Sequence, residues 1–290
     1  MSISQEIKYK LARLSILEKL IAFNIFIFVL NALIPFLFKF NKNLISNWFQ
    51  LPVDVSDFVS QPWSLITYSF FHAGIGHVFW NMILLFFAGR TFLNLFSSKR
   101  FINVYFLGVI LGGLFFLLSY NLFPAFSGVN TALIGASAGV MSVLIFVCSY
   151  IPDQEVRIVF FNVKLWYIGA FLVLLDLVQM TYDGNAGGHL AHLGGALLGY
   201  MYARNLRYGK DIGSGFEKMI SGIENIFKRN KKSTLKTVHK SEKTKKYSVS
   251  STEKNIHQKQ IDDILDKISK NGYEALSKEE KDFLFKAGKD

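Results

Sequence analysis

The sequence predicts an all-α membrane protein, a six-transmembrane helical bundle with a small cytoplasmic helical tail. Two observations carry that prediction. Of the 290 residues, 51% are apolar and 16% aromatic, more than a soluble domain ordinarily holds. No Asp, Glu, Lys or Arg occurs from Phe101 to Pro152, a stretch long enough for two spans of ~20 residues and a short hairpin. The single cysteine, Cys148, excludes an intrachain disulfide and a Cys-rich metal site, and reads as a small buried hydrophobe.

The elements follow in order. Residues 1–16 form an N-terminal arm, and the apolar run from about 20 to 38 lacks a small-residue cleavage site, so a retained first span is expected in place of a removed signal peptide. A long loop from Asn41 to Phe71 carries Trp48, Pro52, Pro62 and Trp63, residues suited to the membrane interface. Further low-charge segments lie at about 72–93, 101–122, 134–151, 165–182 and 187–203, which makes 17–205 the six-span core. Lys and Arg alternate between the connections. Lys8, Lys10, Arg13 and Lys19, then Arg90, Lys99 and Arg100, then Arg157 and Lys164 mark one side, whereas the opposite connections hold only Lys39 and Lys42. The positive-inside rule then predicts a multi-pass protein of the cell (inner) membrane with both termini cytoplasmic.

The tail is strongly basic. From Arg204 onward 21 Lys and Arg face 13 Asp and Glu, a net +8 (21 minus 13) within a chain of net charge +11. Because it directly follows a span, it fits attraction to anionic lipid and not nucleic-acid binding. Residues 206–255 are expected to be a basic, disordered linker, and 256–290 a short helical hairpin. Its first helix runs over Ile256–Ile268 toward Gly272. Its second opens on a capping box made by Ser277 and Glu280 and runs through Phe283–Phe285.

Polar residues inside spans cost free energy and need a reason. The pentapeptide GASAG, centred on Ser137, fits the pattern of a nucleophile elbow, but that elbow needs a strand, a sharp turn and a helix, and the flanking sequence offers no sheet. Counted outward from the cytoplasmic end at ~1.5 Å per residue, Ser137 lies ~22 Å, His192 ~18 Å and His77 ~20 Å along their spans, a shared depth. Asn81 follows His77 by one helical turn on the same face. Gly188, Gly195 and Gly199 share a face with His192, and Gly135 and Gly139 flank Ser137, where small residues let helices approach closely. A hydroxyl nucleophile, an imidazole base and donors for a developing oxyanion are the parts that acyl transfer needs. Each has a plainer competitor: a serine bonding back to its own helix, a histidine in packing. Asp176 is a rival third member of a triad, but with Gln179 beside it on an outward span a structural hydrogen bond is its expected role, as it is for Asn24 and Asn31.

Together HVFWN in the second span, GASAG opening the fourth and AHLGGALLG in the sixth resemble, in order and spacing, the signatures of the rhomboid intramembrane serine proteases over roughly residues 15–205. The resemblance implies a serine endopeptidase acting on transmembrane segments, without metal or cofactor, whose partners are transmembrane protein substrates and the lipid bilayer. It implies that Ser137 is the nucleophile and His192 the general base, a dyad without an aspartate, and that His189 is a neighbour. It also implies that His77, Asn81 and the backbone amides near Ala136 and Ser137 hold the oxyanion. PWSLITYSFFH resembles the family's membrane-immersed loop, and a substrate helix would unwind in part to present its scissile carbonyl. The chain departs from the family where Ser64, not arginine, follows Trp63, and where Met141, not tyrosine, stands one turn after Ser137, leaving a thioether to pack on the His192 ring. Two other readings compete, an inactive relative that binds membrane clients and a small transporter, which would carry paired charges at the midplane of two related halves.

Overall fold

A computed structural model describes residues 5, 6, 9, 12–158, 160–182, 184–227 and 251–287. The chain divides into two compact units, Met1–Arg229 and Asn230–Asp290.

In the first unit, helix α1 (Ile16–Phe38) begins at a capping box: the Ser15 amide donates to Glu18 Oε2 at 2.7 Å and the Glu18 amide to Ser15 Oγ at 3.2 Å. It is apolar all round, burying only Leu17, Leu20, Asn24 and Pro35 and turning Phe26, Phe36 and Leu37 outward, the pattern of a lipid-facing helix. Asn24 donates back to the Leu20 carbonyl at 2.9 Å, the structural role expected of it. The long loop holds a two-residue strand β1 (Leu51–Pro52) and the short helices α2 (Val55–Ser60) and α3 (Ser64–Thr67). It is tied together by Trp63 Nε1 donating to the Trp48 carbonyl at 2.7 Å and Thr67 Oγ1 to that of Phe49 at 2.8 Å, while Ser64 is fully buried. The Tyr68 hydroxyl donates to the Val109 carbonyl at 2.7 Å and so fixes the loop to the bundle.

Helices α4 (Ile75–Leu95) and α5 (Ser98–Leu122) follow, then strand β2 (Ala132–Leu133) and helix α6 (Ser137–Tyr150). A hairpin of β3 (Glu155–Ile158) and β4 (Phe161–Lys164), absent from the sequence reading, leads to α7 (Leu165–Gln179) and α8 (Ala186–Arg207). Each expected span is thus a helix, with ends displaced by a few residues. By length and apolarity α1, α4 and α5 can cross a membrane, whereas α6 and α7 are shorter apolar helices. At ~1.5 Å per residue α6 is ~21 Å long, short of a ~30 Å hydrocarbon layer. It can be short because protein surrounds it: every residue from Ala138 to Cys148 is buried. Irregular backbone before it is tolerated at depth only when buried in this way.

The centre is a three-helix contact made through small side chains. A Cβ on Gly195 of α8 would overlap the Ala138 carbonyl oxygen, and one on Gly199 that of Ser142, so α8 lies directly on α6. A Cβ on Gly112 of α5 would come within 2.6 Å of Ala138 Cβ and 2.7 Å of the Ala191 carbonyl oxygen. Without a hydrophobic drive between helices in lipid, such close approach supplies the packing attraction. Gly139 instead makes room for the Tyr105 ring, and the atoms nearest the Cβ position of Gly188 belong to Asn185, so the tightest approach at these two is not at the α6–α8 contact.

Beyond α8, Asp211 accepts from Arg100 Nε and Nη2 at 3.0 and 2.9 Å, from the Gly213 amide at 3.0 Å, and from the Tyr202 hydroxyl, tying the start of α5 to the end of α8. Partial burial pulls its carboxyl upward, but the hydrogen bonds from Tyr202 and Arg100 outweigh that and hold it below the usual carboxylate range. The expected linker over 206–255 contains helix α9 (Ser214–Phe227), a correction that follows from its one-sided apolar residues Phe216, Met219 and Ile220. Residues 228–250 of that linker lie outside the described residues.

In the second unit, α10 (Ser251–Asn271) stops at Gly272 with φ 79°, and α11 (Lys278–Ala287) starts at the expected capping box, with Glu280 N–Ser277 Oγ at 3.3 Å and Ser277 N–Glu280 Oε2 at 2.7 Å. Lys267 hydrogen-bonds Glu280 from α10 and holds its carboxyl below the usual range.

Candidate active site

The turn before Ser137 is built by glycine and by a sheet the sequence did not announce. Leu133 and Ala132 pair antiparallel with Leu51 and Pro52, and the Gly135 amide donates to the Tyr68 carbonyl at 3.0 Å. Gly135 then takes φ 124°, a region that costs residues with a Cβ about 1–3 kcal/mol, and α6 begins at Ser137. A strand, a sharp turn and a helix are therefore present in miniature, which corrects the expectation that no sheet stands near GASAG. Two-residue strands are too short to leave a period in the sequence. Ser137 opens the helix and is half-buried, and the residue four positions earlier lies in β2, so no helical carbonyl is placed for its hydroxyl to bond back to.

Gly135 is also where Ser137 and His77 meet. A Cβ there would stand 2.7 Å from His77 Nε2 and 3.5 Å from Ser137 Oγ. His77 lies in the first turn of α4, half-buried, and its Nδ1 accepts from the Ala73 amide at 3.4 Å. A neutral His77 then carries its proton on Nε2, toward the serine turn. Asn81 is buried and spends one amide proton on the His77 carbonyl at 2.8 Å. Sequence reasoning missed His72, which is 4% exposed, has its ring centroid 5.0 Å from that of His77, and accepts the Ala136 amide on Nε2 at 3.4 Å. The Ala136 N–H is thus directed at an imidazole and must leave it to serve an oxyanion. The signal was present in SFFHAGIGH, where a second histidine precedes the helix by three residues.

His192 approaches from α8. Its neighbour Ala191 and the neighbour of Ser137, Ala138, meet at the same glycine, Gly112. Ser137 and His77 thus meet from two helices, His192 stands on a third that packs against α6, and Met141 is buried one turn into α6. Behind His192 stands Asp176 of α7. Its Oδ1 lies 2.8 Å from His192 Nδ1 and 2.7 Å from His189 Nδ1, and the side-chain exposures fall from 22% at His192 to 9% at Asp176 and 6% at His189. The structural hydrogen bond expected of Asp176 exists, but its partners are the two histidines and not Gln179.

These three residues are also the group among the described residues that could hold a metal, with one ligand atom from each within 4.8 Å of the others. The two short contacts fit shared protons better. Tetrahedral donors ~2.0–2.1 Å from a zinc ion stand ~3.3 Å apart, wider than either observed N–O separation.

A rhomboid domain matches residues 59–209 and a family of unknown function matches 245–286, the latter covering most of α10 and α11. Among curated relatives, the chain is 28% identical over 183 residues to RHOMBOID-like protein 12, mitochondrial, of Arabidopsis thaliana, covering 59% of this chain and 54% of that protein. It is 30% identical over 151 residues to Presenilin-associated rhomboid-like protein A, mitochondrial, of Danio rerio, covering 51% and 38%. With Rhomboid-related protein 1 of Caenorhabditis elegans the figures are 30% over 154 residues, 51% and 41%. The chain thus spans about half or less of each relative's length. The first two are named as mitochondrial proteins, which overturns the expected cell (inner) membrane with its cytoplasmic termini. Lys and Arg asymmetry ranks the two sides of a bilayer but carries nothing about which bilayer it is. With its matched domain covering more than half of the sequence and containing all three signature segments, the chain belongs to the rhomboid family.

Proposed function

We propose that the protein is an intramembrane serine endopeptidase that cleaves transmembrane segments of membrane proteins, with Ser137 as nucleophile and His192 as general base. The observation that carries this reading is the serine turn: a half-buried hydroxyl at the first residue of a buried helix, held by a positive-φ glycine against His77 and beside the helix of His192. His77 Nε2–H, the free amide proton of Asn81 and the Ser137 backbone amide are the candidate oxyanion donors, with Ala136 available once it releases His72. Helices α1 and α4 to α8 cross the bilayer in this reading; α6 and α7 do so inside or against the bundle, which excuses their shortness.

Purified protein is incubated with a test transmembrane substrate and, separately, with a fluorophosphonate probe. The wild type is expected to cleave and to label, and the Ser137→Ala and His192→Ala variants to do neither. An unlabelled, inactive wild type that still binds the substrate would favour the non-cleaving relative. Undiminished cleavage by Ser137→Ala would remove the assignment.

A further inference from the structure

We infer that Asp176 is a positioning residue for His192, which makes the dyad of the proposed protease a carboxylate-oriented base. The inference rests on the endopeptidase reading and on one contact that this reading does not require, Asp176 Oδ1 to His192 Nδ1 at 2.8 Å. A carboxylate accepts only, so the proton of that contact belongs to His192 Nδ1 and leaves Nε2 unprotonated. Nε2 is then the atom able to take the Ser137 proton as Oγ bonds to the scissile carbonyl carbon. It returns that proton to the leaving nitrogen as the carbon–nitrogen bond breaks, while Asp176 stays ionised throughout.

The architecture isolates this contact. α7 turns Phe171, Leu174, Leu177 and Val178 outward, and Asp176 is the one polar side chain that it buries. Gly169, two turns earlier on the same face, lets α7 close on α6, where an added Cβ would stand 2.9 Å from Cys148 Cβ. His189 and His192, three apart on α8, present their Nδ1 atoms to one oxygen. A carboxylate in that position without donors would be strongly penalised, and two imidazole N–H groups supply them without a Lys or Arg. His189 is the more buried of the two, and both rings share the one carboxylate oxygen.

The test uses the full-length protein in detergent, with 15N-labelled histidine and a cleavage assay. The wild type is expected to show His192 with its proton on Nδ1 and Nε2 bare, assigned by loss of the signal in His192→Gln. Asp176→Asn, which keeps the shape and lets the carboxamide donate, is expected to lose that signature and to lower kcat by about 100- to 10,000-fold with KM changed less than about threefold. His189→Gln should keep the His192 signature. A wild-type His192 protonated on Nε2 overturns the inference without any variant, so it stays testable should Asp176→Asn not fold. A folded Asp176→Asn with kcat within threefold of wild type also overturns it, as does a His189→Gln loss equal to that of Asp176→Asn with the His192 signature intact. Wild-type protein that neither labels nor cleaves, yet shows the Nδ1–H signature, would sink the endopeptidase reading while leaving the contact standing.

Discussion

At the scale of single residues, the site is held by atoms that have no spare room. Gly135 combines φ 124° with a Cβ position 2.7 Å from His77 Nε2. Gly135→Ala is expected to cost about 1–3 kcal/mol of stability from backbone strain alone and to abolish cleavage by displacing His77, read by thermal melting and turnover together. Retained turnover in a folded variant would show that the turn tolerates a second geometry. Asn81 offers a gentler probe, since its contact with the His77 carbonyl is local to α4. Asn81→Ala should slow cleavage about 100-fold, the usual loss for one oxyanion donor, while fluorophosphonate labelling persists; a fall below threefold would take Asn81 out of the oxyanion site. Ser137, His192, His77 and Asn81 could be read from three short motifs because each sits at a fixed offset on its own helix. The contacts of Asp176 and His189 could not, because they join elements that linear spacing does not relate. The partner of Asp176 is a pair of imidazoles, with no Lys or Arg beside them among the described residues.

At the scale of elements, long apolar runs told where helices lie, since a span needs ~20 such residues and leaves a mark that survives any packing. Helix ends were harder. The fourth segment opens at Ser137 and not near 134 because β2 and Gly135 occupy the preceding positions, and neither two paired residues nor a positive φ has a periodic signature. The capping box at Ser277 was legible because it is a four-residue pattern complete within itself. Contact between α6 and α8 is the element-level feature most open to test. Gly195→Ala pushes a methyl group into the Ala138 carbonyl, so the helices must part. Overpacking of this kind costs ~1–3 kcal/mol, and because Ala138 adjoins Ser137 the turnover loss should exceed that of Gly188→Ala, whose added carbon stands nearest the Asn185 side chain. Equal losses would mean that α8 can shift without moving the serine.

At the scale of the whole molecule, the proposed reacting groups all belong to the unit ending at Arg229. Truncation after that residue is expected to leave cleavage of a test substrate in detergent unchanged, and a well-inserted but inactive truncation would give α10 and α11 a direct part in catalysis. Asp211 sets a pH limit on the same unit. Its carboxyl is held low in the folded protein, so its contribution is complete above the ordinary carboxylate range and disappears as pH falls through the folded value. Asp211→Asn should therefore melt lower than wild type at neutral pH, by on the order of 1 kcal/mol for this partly exposed pair, and the difference should close in acid. A gap that persists unchanged at low pH would assign the loss to packing.

The burial of α6 on every side has a consequence for the protein in lipids of different chain length. A bilayer acts on the helices it touches, tilting them when its thickness differs from their apolar length. α6 touches protein along its whole buried stretch, so it has no surface on which that force can act. α1, α4 and α7 do, through outward residues such as Phe36, Phe87 and Phe171. In thinner or thicker membranes Ser137 should then keep its place in the bundle while His77 on α4 and Asp176 on α7 swing about it. Turnover should peak at one acyl-chain length and fall on both sides of it, with melting temperature changing far less than rate.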